Sequence, residues 1–218
     1  MTTLLQINAS MHGDTGVSSQ LANHFVAAWR AREPQARIVL RDLAAEPVPH
    51  LSAERFAAFL ASAEQRDAEQ QSVAQYSQAL IEEIQRADVV VLGLPMYNFG
   101  VPSQLKAYFD HIARAGLTFR YTPQGPVGLI GNKRVYVFAA RGGLYAGTTL
   151  DTQTQYLRDF LALLGITDVE FVYAEGLAVS TDSRESALGA ARARIEQLLP
   201  ASATLPAERG AAAERVAA

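Results

Sequence analysis

The sequence predicts a three-layer α/β domain built on a five-stranded parallel sheet of order 2-1-3-4-5. Three observations carry the prediction. Short apolar stretches rich in β-branched and aliphatic residues recur along the chain, helix-period segments separate them, and the 218 residues, 49% hydrophobic and 19% charged, suit one well-filled core rather than several. Neighbouring parallel strands need crossover connections, and right-handed crossovers distribute the helices to both faces of the sheet.

The strands read as Leu4 to Ile7, a weaker Arg37 to Leu40, Asp88 to Leu92, Arg134 to Ala140 and Val169 to Tyr173, all short enough and apolar enough to lie buried. Between them, Ser18 to Arg32 has helical character. Ser72 to Arg86 places Val73, Tyr76, Leu80 and Ile84 on one stripe that can face a sheet. Pro102 to Arg114 starts with a proline suited to a first helical turn, Asp151 to Leu164 stops before Gly165, and Asp182 to Leu199 closes the series. Two stretches exceed a minimal five-strand domain: Pro47-Val48-Pro49 with the polar, Ala-rich Leu51 to Gln71 segment, and the long Gly116 to Asn132 connection. Both read as excursions around the edge. The domain is expected to span residues 1–199, and the Ala-rich segment 200–218 carries too little apolar bulk to pack, so a frayed helix or disorder is expected there.

Sheets of this order bind ligands beyond the carboxyl ends of the strands, where the order reverses between strands 1 and 3. The loops to inspect therefore follow Ile7, Leu92 and Ala140. The first, Asn8 to Gln20, is rich in hydroxyls and glycine and opens a helix. Ser10, Thr15, Ser18 and Ser19, with the free N–H groups of a helix N-terminus, can hold a phosphate without any Lys or Arg; an ordinary Ser-capped helix start has the same composition. The loop contains neither a G-x-x-x-x-G-K-[ST] nor a G-x-G-x-x-G pattern, which disfavours an NTPase and a nicotinamide-binding Rossmann domain. The second loop, Gly93 to Lys106, presents Met96, Tyr97, Asn98 and Phe99 between Pro95 and Pro102. Its stiffened backbone can face a planar heterocycle, or its apolar side chains can pack on a neighbouring helix or subunit. The third, Ala140-Arg141-Gly142-Gly143-Leu144-Tyr145, has paired glycines that allow close approach of a ligand or simply form a turn.

Several segments together resemble the FMN-dependent NADH:azoreductase family, also described as quinone reductases. They are Pro95-Met96-Tyr97-Asn98-Phe99, Gln104-Leu105-Lys106-x-Tyr108-Phe109-Asp110, Ala113 to Tyr121, Arg141-Gly142-Gly143, Phe160-Leu161, Gly165 to Val169 and Ala174-Glu175-Gly176. The resemblance runs from Leu4 to about Leu198. It implies a flavodoxin-like fold, a homodimer with one FMN per subunit, and two-step transfer in which NADH or NADPH reduces the flavin and a quinone or azo acceptor then takes its place. The cofactor-binding residues it implies are Ser10, Gly16, Val17, Ser18, Pro95, Met96, Tyr97, Asn98, Phe99, Ala140, Arg141, Gly142 and Gly143. Among these, Ser10 and Ser18 would contact the phosphate, Met96 to Phe99 would line the isoalloxazine, and Arg141 to Gly143 would lie on its pyrimidine side. Phe119, Tyr121 and Tyr145 are implied to line the substrate cavity, the first two as walls supplied to a second subunit. The chain departs from the family pattern at Gly16 and Val17, where a Ser and a polar residue are common, and at Ala140, where a Ser often precedes Arg-Gly-Gly.

Other classes are excluded or disfavoured by the sequence. A net charge of −3 offers no pull toward nucleic acid or anionic lipid. No cysteine is present, so redox chemistry has to come from a cofactor, and a reducing, cytoplasmic setting is expected. No apolar run approaches the ~20 residues a bilayer demands. Hydride transfer through a flavin needs no ionisable protein group, so no catalytic residue is nominated; His12 reads as a surface histidine, and the histidines lack ligand-like spacing, so no metal site is expected. A flavodoxin-type electron carrier remains an alternative, although such carriers are smaller and more acidic. A cofactor-free α/β regulatory module is another, but a phospho-acceptor receiver needs carboxylates where Asn8-Ala9-Ser10 stands. No G-x-S-x-G elbow supports a serine hydrolase.

Overall fold

The computed structural model describes residues 1–199, and the expectation for the segment from 200 onward lies outside them. In chain order the elements are β1 (Thr3–Asn8), α1 (Val17–Arg32), β2 (Arg37–Asp42), α2 (Ala53–Leu60), α3 (Ala68–Arg86), β3 (Val89–Pro95), α4 (Ser103–Ile112), β4 (Phe119–Thr122), β5 (Gly125–Gly128), β6 (Arg134–Ala140), α5 (Thr152–Leu163), β7 (Asp168–Ala174) and α6 (Thr181–Leu198). Five strands form one parallel sheet in the order β2-β1-β3-β6-β7. Numbered along the chain the order is 2-1-3-6-7 rather than the predicted 2-1-3-4-5, because two further strands precede the last two strands of the sheet. The connection from Gly116 to Asn132, expected to be an excursion around the domain's edge, contributes the antiparallel hairpin β4–β5, which stands apart from the main sheet.

Alternation along each strand sorts side chains between the two faces. Leu4, Val89, Val91, Tyr136, Phe138 and Val172 pack against Leu21, Phe25 and Trp29 of α1 and Ala191 and Ile195 of α6. Leu5, Val90, Leu92, Val135 and Val137 pack with Leu80 and Ile84 of α3, Leu105 and Tyr108 of α4, and Leu157 and Leu161 of α5. Each such side chain, taken wholly out of water, contributes about 1.5–3 kcal/mol. Both layers are needed because the central strand β3 is buried along its whole length.

The element ends differ from expectation for identifiable reasons. Strand β3 runs on from Leu92 to Pro95 because Leu94 and Pro95 pair with Ala139 and Ala140. Helix α3 begins at Ala68 rather than Ser72, since Asp67 and Gln70 form a reciprocal capping box. The Leu51 to Gln71 segment, expected to be an edge excursion, contains α2, whose start is capped by Ser52. Val48 of the preceding loop is buried in the core. Among the described residues, no helix is long and apolar enough to cross a membrane.

Candidate functional site

The loops after β1, β3 and β6 meet at the carboxyl edge of the sheet. In the first, Ser10 is buried, and its Oγ accepts the His12 N–H at 3.2 Å. The Thr15 hydroxyl, one of the expected phosphate ligands, donates instead to the His12 carbonyl at 2.8 Å. Helix α1 starts after Gly16, which provides no side-chain cap, so the serines do not act as an ordinary N-cap. The first-turn N–H groups are thus uncapped and turned to the loop. The hydroxyls of Ser18 and Ser19 are buried and have no partner among the described residues. Gly16 has a steric reason to be glycine: a Cβ there would lie 2.1 Å from Ser10 Oγ. Gly93 has another, since a Cβ on β3 would come within 3.1 Å of the Ser18 carbonyl where α1 crosses. Val17, half-buried, packs against the α1–α6 core.

The second loop is a tight turn. Tyr97 and Gly100 exchange both backbone hydrogen bonds, at 3.2 and 2.9 Å, around Asn98 and Phe99 with φ of 49° and 61°. This is the pattern of a type I′ turn, so its stiffness comes from turn closure more than from the flanking prolines. Pro95 itself is the buried last residue of β3, and the Met96 N–H donates to the Ala140 carbonyl. The Tyr97 hydroxyl reaches the first loop, 3.4 Å from Ser10 Oγ and 3.3 Å from the Met11 N–H that donates to it. Phe99, 46% exposed, meets Tyr145 of the third loop edge to face, with ring centroids 5.4 Å apart.

In the third loop one side chain is drawn into an ionic cluster. Arg141 is buried, and its guanidinium donates to Asp151 at 2.8 Å, Glu175 at 3.0 Å and Thr154 Oγ1 at 3.3 Å, while stacking over the Tyr173 ring at 4.9 Å. Its two terminal nitrogens are thus committed to the scaffold, while Nε has no partner among the described residues. Burial pushes the Asp151 carboxyl up, but hydrogen bonds from Arg141 and Thr154 and the guanidinium charge outweigh this and hold it below the usual aspartate range. Glu175 also accepts the N–H groups of Tyr145 at 3.0 Å and Ala146 at 2.9 Å, which fixes the loop beyond the glycines. The Gly142 and Gly143 carbonyls accept from Ala178 and Gly176, whereas their own N–H groups find no acceptor among the described residues. Ala140 is buried at the end of β6.

The hairpin does not join this cluster. It attaches at the opposite end, where α4 and α5 finish: the Leu129 N–H donates to the Thr118 carbonyl and Ile130 to Leu164. Phe119 is buried at its base and Tyr121 is 77% exposed. His12 is exposed, as the sequence suggested. Cavity size alone does not locate the site: a cleft of about 630 Å³ between α1 and α6 takes only Val17 and Gln20 from the three loops, and one of about 510 Å³ between α2 and α3 takes none of their residues. Convergent unpaired donors locate it instead.

The supporting residues were not legible in the sequence. Glu175 lies in the Ala174-Glu175-Gly176 segment with no role evident there, and Asp151 was legible only as a helix start. Gln153, fully buried, donates from Nε2 to the carbonyls of Pro95 and Gly100, both at 2.9 Å, and Thr152 Oγ1 donates to the Phe99 carbonyl. No local signal announces such contacts.

With this geometry in view, comparisons with known proteins agree on one grouping. A family model described as having a flavodoxin-like fold matches residues 2–199. A protein of Cellvibrio japonicus named FMN-dependent NADH:quinone oxidoreductase is 56% identical over 201 residues, covering 92% of this chain and 100% of the relative. One of the same name from Alcanivorax borkumensis is 56% identical over 192 residues, covering 88% and 97%. Among solved structures, an azoreductase from Bacillus anthracis superposes with a TM-score of 0.82 at 29% identity, covering 90% of this chain and 98% of that one. An FMN-dependent NADH-azoreductase from the same species, in complex with FMN, gives 0.81 at 28% identity, covering 92% and 100%.

Proposed function

This chain belongs to the family with a flavodoxin-like fold, and on that premise we propose that it is an FMN-dependent oxidoreductase that uses NADH to reduce quinones and azo compounds. The observation that carries the reading is the convergence of three loops: Tyr97 ties the second to the first through Ser10 and Met11, and Phe99 ties it to the third through Tyr145.

The residues present fit FMN. Buried hydroxyls without a partner are costly, and those of Ser18 and Ser19 sit where an uncapped helix N-terminus favours an anion. Ser10 and Ser18, with Gly16 and Val17 at the helix start, would hold the phosphate. Met96, Tyr97, Asn98 and Phe99 would line the ring plane, and the free N–H groups of Gly142 and Gly143 would meet its pyrimidine edge. When bound, FMN would supply the hydride-transfer chemistry between NADH and the acceptor in a ping-pong sequence. The chain binds, orients and excludes water. Tyr145 and Phe99, in edge-to-face contact, would form an aromatic cover beside the ring, and Arg141 holds the glycine loop in place through Glu175. No side chain is required as an acid, because water can protonate the product.

A homodimer is part of the reading, since exposed Tyr121, Val127 and Leu129 on the hairpin offer apolar surface that a second copy can cover. A cytoplasmic location is consistent with the absence of cysteine. The test is the visible spectrum of purified protein. A yellow protein whose flavin bleaches with NADH under anaerobic conditions and recovers its colour with menadione is expected. A colourless protein that takes up no added FMN would overturn the reading, and bound flavin that NADH cannot reduce would favour a one-electron carrier.

A further inference from the structure

Gln153 lies in the first turn of α5 and is fully buried. Its Nε2 donates both protons, one to the carbonyl of Pro95 and one to that of Gly100, each at 2.9 Å. Those two carbonyls bracket Met96 to Phe99, so one side-chain amide closes the base of the whole loop against a helix. The loop needs such a tie. Asn98 and Phe99 occupy the left-handed region, which for a bulky residue like Phe99 is an outlier, and such conformations persist only when the surroundings over-determine them. The two hydrogen bonds between Tyr97 and Gly100 lie within the turn itself, whereas Gln153 connects it to the scaffold.

We propose that Gln153 is a positioning residue for the flavin ring: by holding the Pro95 and Gly100 carbonyls to α5, it keeps the Met96–Phe99 backbone in the shape that the ring stacks against. This rests on the reading given under Proposed function. The competing account is that Gln153 is an ordinary buried polar group whose loss lowers stability without reshaping the loop.

The experiment compares Gln153→Leu, similar in size but unable to donate, with Leu157→Ala, a core substitution one turn further along the same helix. Amide hydrogen exchange in the flavin-free proteins is read at Tyr97 and Gly100, and FMN affinity and the visible circular dichroism of bound FMN are read in the loaded ones. Gln153→Leu is expected to speed exchange at both amides, weaken FMN binding roughly tenfold, as two lost hydrogen bonds allow, and change the flavin dichroism. Leu157→Ala is expected to lower Tm while leaving all three near wild type. Equal effects in the two variants, or faster exchange in Gln153→Leu with unchanged flavin affinity and dichroism, would overturn the proposal while the proposed activity stands. A wild-type protein that binds no FMN would instead remove the activity and this role together. If Gln153→Leu does not fold, Gln153→Glu takes its place. Its neutral acid can donate to one carbonyl and its carboxylate to neither, so FMN affinity must fall as pH rises through that titration, relative to wild type; a parallel pH profile would refute the role.

Discussion

Removing Glu175 tests whether the glycine loop is held by a water-excluded ionic cluster. The Arg141 side chain is 0% exposed, and its partners Asp151 and Glu175 are 7% and 13% exposed. Glu175→Ala leaves a buried guanidinium with one carboxylate and takes the acceptor from the N–H groups of Tyr145 and Ala146. Breaking a buried pair from one side costs about 3–5 kcal/mol. Asp151 remains on the guanidinium, so the lower end, about 3 kcal/mol, is expected. At ~2–4 °C of Tm per kcal/mol for a domain of this size, that is a drop of about 6–12 °C. The assay is guanidinium chloride unfolding of the flavin-free protein, with the midpoint falling and the slope m unchanged. Glu175→Gln keeps an oxygen for the two N–H groups and loses only the charge, so it should cost roughly half as much. A loss below about 1 kcal/mol for Glu175→Ala would mean that the guanidinium swings out to water, and the cluster could not then be what shapes Gly142 and Gly143.

Gly16→Ala places a methyl 2.1 Å from Ser10 Oγ, at a φ of −67° that alanine adopts freely, so the whole effect is steric. Stability should fall by about 1–3 kcal/mol and FMN affinity with it, as read by thermal unfolding and flavin titration; unchanged values would show that Ser10 moves aside at no cost. His111 is buried with Nδ1 on the Ala107 carbonyl and its ring edge-on to Phe59 and Tyr76, and burial, aided by the charge of Arg55 and opposed by Asp110 and the Ala107 hydrogen bond, holds its pKa below the ordinary value. The unfolded histidine therefore takes up a proton first as pH falls, so stability is full above pH ~6.5 and declines below it. The unfolding midpoint should drop between about pH 7 and pH 5.5, and His111→Phe should flatten that slope; identical slopes would remove His111 as the cause.

The main sheet was legible because buried parallel strands declare themselves as apolar runs and their helices as stripes. The hairpin was not, since Gly125-Pro126-Val127-Gly128 pairs two glycines with a proline, residues that argue against a strand unless a partner is already in place. Strand β3 was read three residues short for a related reason: Gly93, Leu94 and Pro95 look like a turn until Phe138, Ala139 and Ala140 are set beside them. Of the candidate site, the loop positions were visible and the side-chain roles only partly so. Thr15 and Arg141 carry the right chemistry for a ligand, yet each already hydrogen-bonds other protein atoms.

The amino-acid order alone determined where strands alternate with helices, and therefore which three loops share one rim, because periodicity and turn chemistry act between near neighbours in the chain. Tertiary structure alone decided what holds those loops. Arg141 finds Glu175 across 34 positions and Gln153 finds Pro95 across 58, and partners so far apart are chosen by the packing of the sheet and α5 rather than by any local pattern.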